Sequence, residues 1–173
     1  RYVIYSWESP EGTPVEVGGT ATHYNGDTPD GSNTRVNYPN GDYYTISLNG
    51  SKDSYTGNHI RIALDENIKA GDIVKMTAYR TKSDDAAAQM VTTGGDLIFN
   101  GTTVNNGAPE MQQYTVPAGI NASGVKLTRH ATGTNTFITK LQIIRESYLD
   151  EDLLKTVSFD KNDESASGSQ AVM

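Results

Sequence analysis

The feature that most constrains the fold is a series of short apolar and polar alternations, each followed by a turn sequence. Ile60, Ile62 and Leu64 alternate with polar or small residues, so one side of an extended chain there is apolar. Asn49-Gly50-Ser51 is typical of the turns between such segments, because Asn and Gly readily adopt positive φ. The pattern predicts an all-β fold.

Nine segments carry this pattern, which favours an antiparallel β-sandwich of the jelly-roll type. The predicted strands are Tyr2–Trp7, Val15–Tyr24, Tyr43–Leu48, His59–Leu64, Ile73–Arg80, Asp96–Phe99, Gln113–Val116, Val125–His130 and Thr136–Ile144. Only Ser83–Ala88 and Tyr148–Leu154 have a composition suited to a helical turn.

The chain has 173 residues, enough for one domain and a tail. We expect residues 1–146 to form the sandwich. After Arg145 the alternation decays, and the sequence becomes acidic and Ser-rich. Residues 147–173 are therefore predicted to be a tail or linker toward a neighbouring domain, and Arg1 at the first position suggests a module of a longer protein.

Charge and composition exclude several classes of function. The net charge is −7 and Lys and Arg do not cluster, so a nucleic acid is not an expected partner. No apolar stretch approaches the roughly 20 residues of a transmembrane helix. With no Cys, neither a disulfide framework nor a thiol nucleophile is expected.

Sequence motifs for catalysis are absent. There is no nucleophile elbow, no phosphate-binding Gly loop and no metal-binding His pair, and the three His are far apart in the sequence. A small glycosidase or lyase remains an alternative, because two carboxylates across a cleft could hydrolyse glycosides. No such pair stands out among Glu8, Glu11, Glu16, Asp42, Asp65 and Asp72. We therefore expect this domain not to be an enzyme.

The aromatic residues point instead to sugar binding. One Trp and ten Tyr stand against three Phe, a bias toward rings that carry a polar group. An aromatic ring can cover the flat C–H face of a sugar while planar polar side chains bond its hydroxyls.

Two stretches combine such residues. The first contains Trp7 and Glu8, with a core position as the alternative for Trp7. The second stretch contains Tyr24, Arg35, Asn37, Tyr38, Tyr43 and Tyr44. In this stretch Tyr44 is expected to point inward, in phase with Ile46, and Tyr43 outward.

Two further expectations concern isolated side chains. His130 is in phase with Lys126 on the outward side of its predicted strand, where it could bond a ligand or be an ordinary exposed His. No cofactor is expected, but a structural calcium ion could bind through the carboxylates of Glu16, Asp27 or Asp30.

Seven short strings together resemble a jelly-roll module of polysaccharide-degrading proteins from gut anaerobic bacteria. They cover most of residues 2–145: Tyr43–Gly50, Ile62–Asp65, Lys69–Asp72, Thr77–Arg80, Tyr114–Pro117, Lys126–Arg129 and Gly133–Leu141. The sequence is most similar to the carbohydrate-binding modules inserted into family 10 xylanases, which are related in fold to family 4 and family 22 modules.

The resemblance implies a secreted or cell-surface monomer that binds xylan or a related β-1,4-linked polysaccharide and targets an attached xylanase to it. It implies ligand contacts at Trp7 and in the region from Arg35 to Tyr43. The alternative is a structural or adhesin-like domain of a bacterial surface protein, whose Tyr-rich stretches pack against a neighbouring domain.

Overall fold

The computed structural model describes residues 1–9, 12–31 and 35–146, which form strands and no helix. The all-β prediction is confirmed. The strands are β1 (Tyr2–Glu8), β2 (Val15–Val17), β3 (Gly19–Asn25), β4 (Thr28–Pro29), β5 (Tyr38–Asn40), β6 (Tyr43–Leu48), β7 (Asn58–Lys69), β8 (Ile73–Arg80), β9 (Ala88–Thr92), β10 (Leu97–Asn100), β11 (Asn105–Asn106), β12 (Glu110–Thr115), β13 (Asn121–Arg129) and β14 (Thr136–Arg145).

The strands form two sheets. The front sheet has eight strands, with the central order β8-β14-β1-β2; β11 and β12 extend it beside β8, and β6 and β5 beside β14. The back sheet has six strands in the order β10-β9-β13-β7-β3-β4. Among the described residues, the strand pairs with a defined register are antiparallel except for the short parallel pairing of β11 with β8.

The core lies between the two sheets and follows the alternation seen in the sequence. Ile60 and Ile62 of the back sheet are fully buried, as are Met76, Ala78 and Leu141 of the front sheet. Burying these apolar faces against each other is the main force that holds the sheets together. The predicted antiparallel β-sandwich is therefore confirmed.

One predicted strand is divided in two at Gly18. We expected Val15–Tyr24 to be continuous, but β2 pairs with β1 in the front sheet and β3 pairs with β7 in the back sheet. Gly18 has a φ of +83° between them, and a Cβ there would lie 2.0 Å from the carbonyl oxygen of Ile4. Only Gly fits this corner, where the chain crosses from one sheet to the other.

Other local predictions were wrong or lie outside the described residues. Ser83–Ala88 contains no helical turn, and Ala88 begins β9, a strand that we did not predict. All five residues of β9 are buried, so it lacks an alternating polar face. Tyr148–Leu154 and the whole tail, 147–173, lie outside the described residues, so the predicted domain boundary stays a prediction.

Val3–Arg145 form one compact unit. Arg1, Tyr2 and Glu146 fall outside that unit, and Arg1 Nη2 lies 2.6 Å from Glu146 Oε1. Within the described ranges, no helix is long and apolar enough to cross a membrane.

His23 makes stability depend on pH. Its side chain on β3 is buried, and neither ring nitrogen makes a hydrogen bond within the described residues. Burial lowers the pKa of His23 below its ordinary value of 6.5, against the opposing effect of Asp30, whose Oδ2 lies 3.7 Å from His23 Nδ1. The unfolded chain therefore binds the proton more readily, and the free energy of unfolding should fall as the pH drops below about 6.5.

Urea denaturation at about pH 7.5 and pH 5.5 measures this loss. The pKa of His59 is also lowered, mainly by burial, so His23→Gln should reduce the difference between the two pH values without abolishing it. The same difference in His23→Gln as in the unaltered chain would show that His23 is not the cause.

Candidate functional site

A row of aromatic side chains crosses the outer face of the front sheet. The rings are those of Tyr38, Phe137, Tyr79 and Tyr43, which we call the aromatic row. Successive ring centroids lie 6.3 Å apart for Tyr38 and Phe137, 5.5 Å for Phe137 and Tyr79, and 5.6 Å for Tyr79 and Tyr43. At the Tyr38 end of the row, the guanidinium carbon of Arg35 lies 4.7 Å from the Tyr38 centroid.

Strand register creates this row. Phe137 of β14 lies directly opposite Tyr79 of β8. Both residues alternate with core residues, Ile138 and Ala78, and so point away from the core. Phe137 and Tyr79 are almost covered, whereas Tyr43 at the end of the row is 38% exposed. Tyr43 therefore offers the most accessible ring of the row.

Two depressions meet at Tyr43. One, of about 320 Å³, is lined by Glu8, Ser9, Tyr43, Thr77, Pro109, Thr139 and Lys140. The other, of about 220 Å³, is lined by Asn40, Gly41, Asp42, Tyr43, Tyr79, Thr81 and Gly107. The ring of Tyr43 thus stands between two hollows that both contain hydrogen-bonding groups.

The polar groups of the depressions are held in place by each other. In the first, Lys140 Nζ lies 3.4 Å from Glu8 Oε2, an exposed pair that water can also reach. In the second, Asn40 Nδ2 donates to the Tyr79 hydroxyl at 2.6 Å. Burial raises the pKa of Tyr79, so its hydroxyl stays protonated at neutral pH. These contacts fix donors and acceptors beside the Tyr43 ring.

Four of the predicted ligand contacts gather on this face. Glu8 and Tyr43 line the same depression, and Tyr38 and Arg35 form the other end of the aromatic row. Asn37 is exposed in the turn before β5, where its φ is +62°. The structure does not place the Asn37 side chain in either depression.

Trp7 is not part of this face, and its prediction as a stacking residue was wrong. Its side chain is 1% exposed and belongs to the core cluster, as does the Tyr5 side chain two residues before it. Trp7 and Tyr5 share the inward side of β1, whereas Glu8 points outward. A sugar cannot reach Trp7 in this fold.

Tyr44 has the inward phase that was predicted, but its side chain is 40% exposed instead of buried in the core. It has the phase of Ile46, but β6 is paired with β14 only from Ile46 to Leu48. Tyr44 therefore lies beyond the part of the strand that the core covers.

Tyr24 and His130 lie elsewhere in the fold. Tyr24 is on β3 of the back sheet, where its ring stacks against His59 at a centroid distance of 5.9 Å. His130 follows β13, also a back-sheet strand, and its Nδ1 lies 2.6 Å from Asp53 Oδ1. Neither residue lines a depression beside Tyr43.

The three carboxylates suggested for calcium have separate partners. Glu16 Oε2 accepts from the Tyr5 hydroxyl at 2.6 Å, Asp27 pairs with an Arg, and Asp30 approaches His23. Within the described residues no group of three or more acidic, His or Cys side chains could hold a metal ion. Calcium binding stays a prediction without a site in the described part of the chain.

Several residues of the face were not predicted. Tyr79 had a usable signal, since the alternation of Val74, Met76 and Ala78 places it outward. Phe137 and Lys140 gave no such clear signal, because the side of β14 on which each lies depends on a register shift between Ile138 and Lys140. A bulge of this kind changes which side chains face outward: the core residues are Ile138 before it and Leu141 and Ile143 after it.

No protein-family model matches the chain, and no curated protein matches its sequence. Among solved structures, it is similar to a mutant family 29 carbohydrate-binding module, with 11% identity, 83% of this chain and 88% of that chain covered, and a TM-score of 0.45. A second similarity is to the family 32 module of C. perfringens NanJ in complex with galactose. Identity is 14%, 72% of this chain and 93% of that chain are covered, and the TM-score is 0.44.

A third similarity is to the family 22 and family 10 modules of the N-terminal xylanase 10B of Clostridium thermocellum, complexed with xylohexaose. Identity is 10%, 82% of this chain and 26% of that chain are covered, and the TM-score is 0.43. Similarities at this level assign neither a family nor a ligand to the chain.

Proposed function

We propose that this chain is a non-catalytic carbohydrate-binding module that binds xylan or a related β-1,4-linked polysaccharide on the outer face of its front sheet. The observation that carries the proposal is the Tyr43 ring, 38% exposed between two depressions lined with hydroxyl, amide and charged groups. Such a ring suits the C–H face of a sugar, and the neighbouring groups suit its hydroxyls.

In this proposal Tyr43 stacks on one sugar ring. Glu8 and Lys140 bond hydroxyls in one depression, and Asn40 and Asp42 in the other. The depressions are open, so a long chain can pass through them without a free end. Xylan is proposed as the ligand because the sequence resembles the modules inserted into family 10 xylanases.

The depressions also favour binding over hydrolysis. Each contains one carboxylate among its lining residues, Glu8 in the first and Asp42 in the second. Most glycosidases hydrolyse the bond with two carboxyl groups placed on either side of it. The proposed role is therefore to keep an attached glycoside hydrolase near its polysaccharide outside the cell, since tethering raises the effective concentration of the substrate.

Tyr43→Ala tests this site. It should weaken binding to xylan about tenfold, because it removes the stacking surface. Calorimetry and affinity electrophoresis against soluble xylan, mannan, β-glucan and pectin would measure the change and the preferred ligand. Tyr44→Ala is the matched control: its side chain is equally exposed, at 40%, but it lines neither depression, so binding should be unchanged.

Failure to bind any of the four polysaccharides would reject the function and favour the structural or adhesin-like alternative. Binding that both Tyr variants retain in full would move the site away from the aromatic row. Release of reducing sugars from xylan by the isolated chain would contradict the non-catalytic role.

A further inference from the structure

A second group of aromatic and basic side chains lies on the outer face of the back sheet. It comprises Tyr24, Tyr55, His59, Arg61 and Lys126, which we call the back cluster. The Arg61 guanidinium carbon lies 4.2 Å from the Tyr24 centroid, and Lys126 Nζ lies 5.1 Å from the Tyr55 centroid. His59 packs between the two Tyr rings, with centroid distances of 5.9 and 5.3 Å.

The two cations of this cluster face each other across neighbouring strands. Lys126 of β13 is the direct antiparallel partner of Arg61 of β7. Like charges in directly opposed positions destabilise a sheet. Burial, and to a lesser extent the charge of Arg61, lower the pKa of Lys126, in agreement with two cations in directly opposed positions.

One carboxylate only partly compensates these charges. Asp27 Oδ1 accepts from Arg61 Nη2 at 3.0 Å, but the Asp27 side chain is fully exposed. Lys126 makes no ion pair within the described residues, although Asp27 acts on it at longer range. Two cations against Asp27 leave the surroundings of Arg61 and Lys126 positive in a chain whose net charge is −7, although the charge of Asp53 also acts on the Tyr55 side chain.

The guanidinium group of Arg61 is fixed before any ligand arrives. Its Nε donates to His59 Nε2 at 2.9 Å and its Nη2 donates to the Gly26 carbonyl at 3.1 Å. Since His59 Nε2 accepts, His59 Nδ1 carries the proton toward the Gly57 carbonyl, 3.0 Å away. Burial lowers the pKa of His59, which keeps the ring neutral. Arg61 Nη1 makes no hydrogen bond within the described ranges and is left for a ligand.

We propose that the back cluster is a second binding site, for an anionic group on a sugar chain, held between Arg61 Nη1 and Lys126 Nζ. A fixed guanidinium and a neighbouring ammonium group supply charge-assisted bonds to a carboxylate or a sulfate. The Tyr24 and Tyr55 rings border these cations and suit the sugar that carries the anion. Bound anion would also relieve the repulsion between Arg61 and Lys126.

Binding of the full chain to polygalacturonate, its methyl-esterified form and dextran sulfate tests this site. Methyl esterification removes the charge and keeps the sugar, so it should abolish binding at the back cluster. Lys126→Gln should weaken binding of the anionic chain about tenfold, and Lys126→Arg should retain it. Asp27→Asn should strengthen binding several-fold, because it removes the competing carboxylate. Tighter binding to polygalacturonate assigns a carboxylate, and tighter binding to dextran sulfate assigns a sulfate.

Lys75→Gln is the matched control, since it removes the same charge from β8 of the front sheet. Equal weakening by Lys75→Gln and Lys126→Gln would overturn the proposal in favour of a diffuse charge effect. Absence of binding to both anionic chains, or equally tight binding of the methyl-esterified chain, would also overturn it. Tyr43→Ala should leave this site intact, so its result is separate from that of the front sheet.

Discussion

Trp7→Ala should lower the free energy of unfolding by about 3–5 kcal/mol, because it removes a large side chain that is 1% exposed in the core. That loss is a large part of the 5–15 kcal/mol of a typical domain. Urea denaturation measures it. Far-UV circular dichroism is the suitable signal, since Trp7 is the only Trp and its fluorescence disappears with the substitution.

Val17→Ala is the control for this variant. Val17 lies on the neighbouring strand β2, and its side chain is 54% exposed, so its loss should change stability by less than about 0.5 kcal/mol. A Trp7→Ala variant that unfolds at the same urea concentration as the unaltered chain would contradict the core position of Trp7. The experiment thereby separates the structural role of Trp7 from the ligand contact that the sequence suggested.

Asp72→Asn should cost about 3 kcal/mol, because a largely buried Arg then loses its buried carboxylate partner and keeps only an exposed one, Glu66. Asp72 is 2% exposed. Its two carboxylate oxygens accept from Nε and Nη2 of Arg145, each at 2.9 Å, and Oδ2 also accepts from the Lys69 backbone N–H at 2.8 Å. The pair joins the turn before β8 to the end of β14. Thermal or urea denaturation would measure the loss.

Glu66→Gln provides the comparison, since Glu66 Oε2 accepts from the same Arg145, at 2.8 Å. The Glu66 side chain is 50% exposed, so water replaces much of the interaction and the loss should stay below about 1 kcal/mol. Equal losses in the two variants would show that burial does not strengthen the pair with Asp72.

The sequence predicted the fold well wherever the two sides of a strand differ. Ile60, Ile62 and Leu64 alternate with polar or small residues, and their strand, predicted over His59–Leu64, begins at Asn58 but continues to Lys69. β9 was missed because both of its sides are buried, the polar residues Gln89 and Thr92 included. The corner at Gly18 was missed because Gly in a strand is compatible with both a bend and a straight run.

The candidate site was less predictable, because it depends on register between distant strands. In β1, Val3, Tyr5 and Trp7 are apolar or aromatic on one side and Tyr2 and Ile4 on the other, so the pattern could not show which side faces the core. Tyr43 and Glu8 were chosen as ligand contacts from separate stretches. Only the pairing of both β1 and β6 with β14 brings these two residues to one depression.

The position of β14 has a consequence for how the molecule forms. It is the last strand of the described residues, yet it lies inside the front sheet and pairs with β8 on one side and with β1 and β6 on the other. During synthesis, the edges of β1, β6 and β8 that later pair with β14 stay unpaired until residues 136–145 have left the ribosome. Unpaired strand edges favour association with other chains, so the growing chain is most prone to aggregation in the interval before β14 is complete.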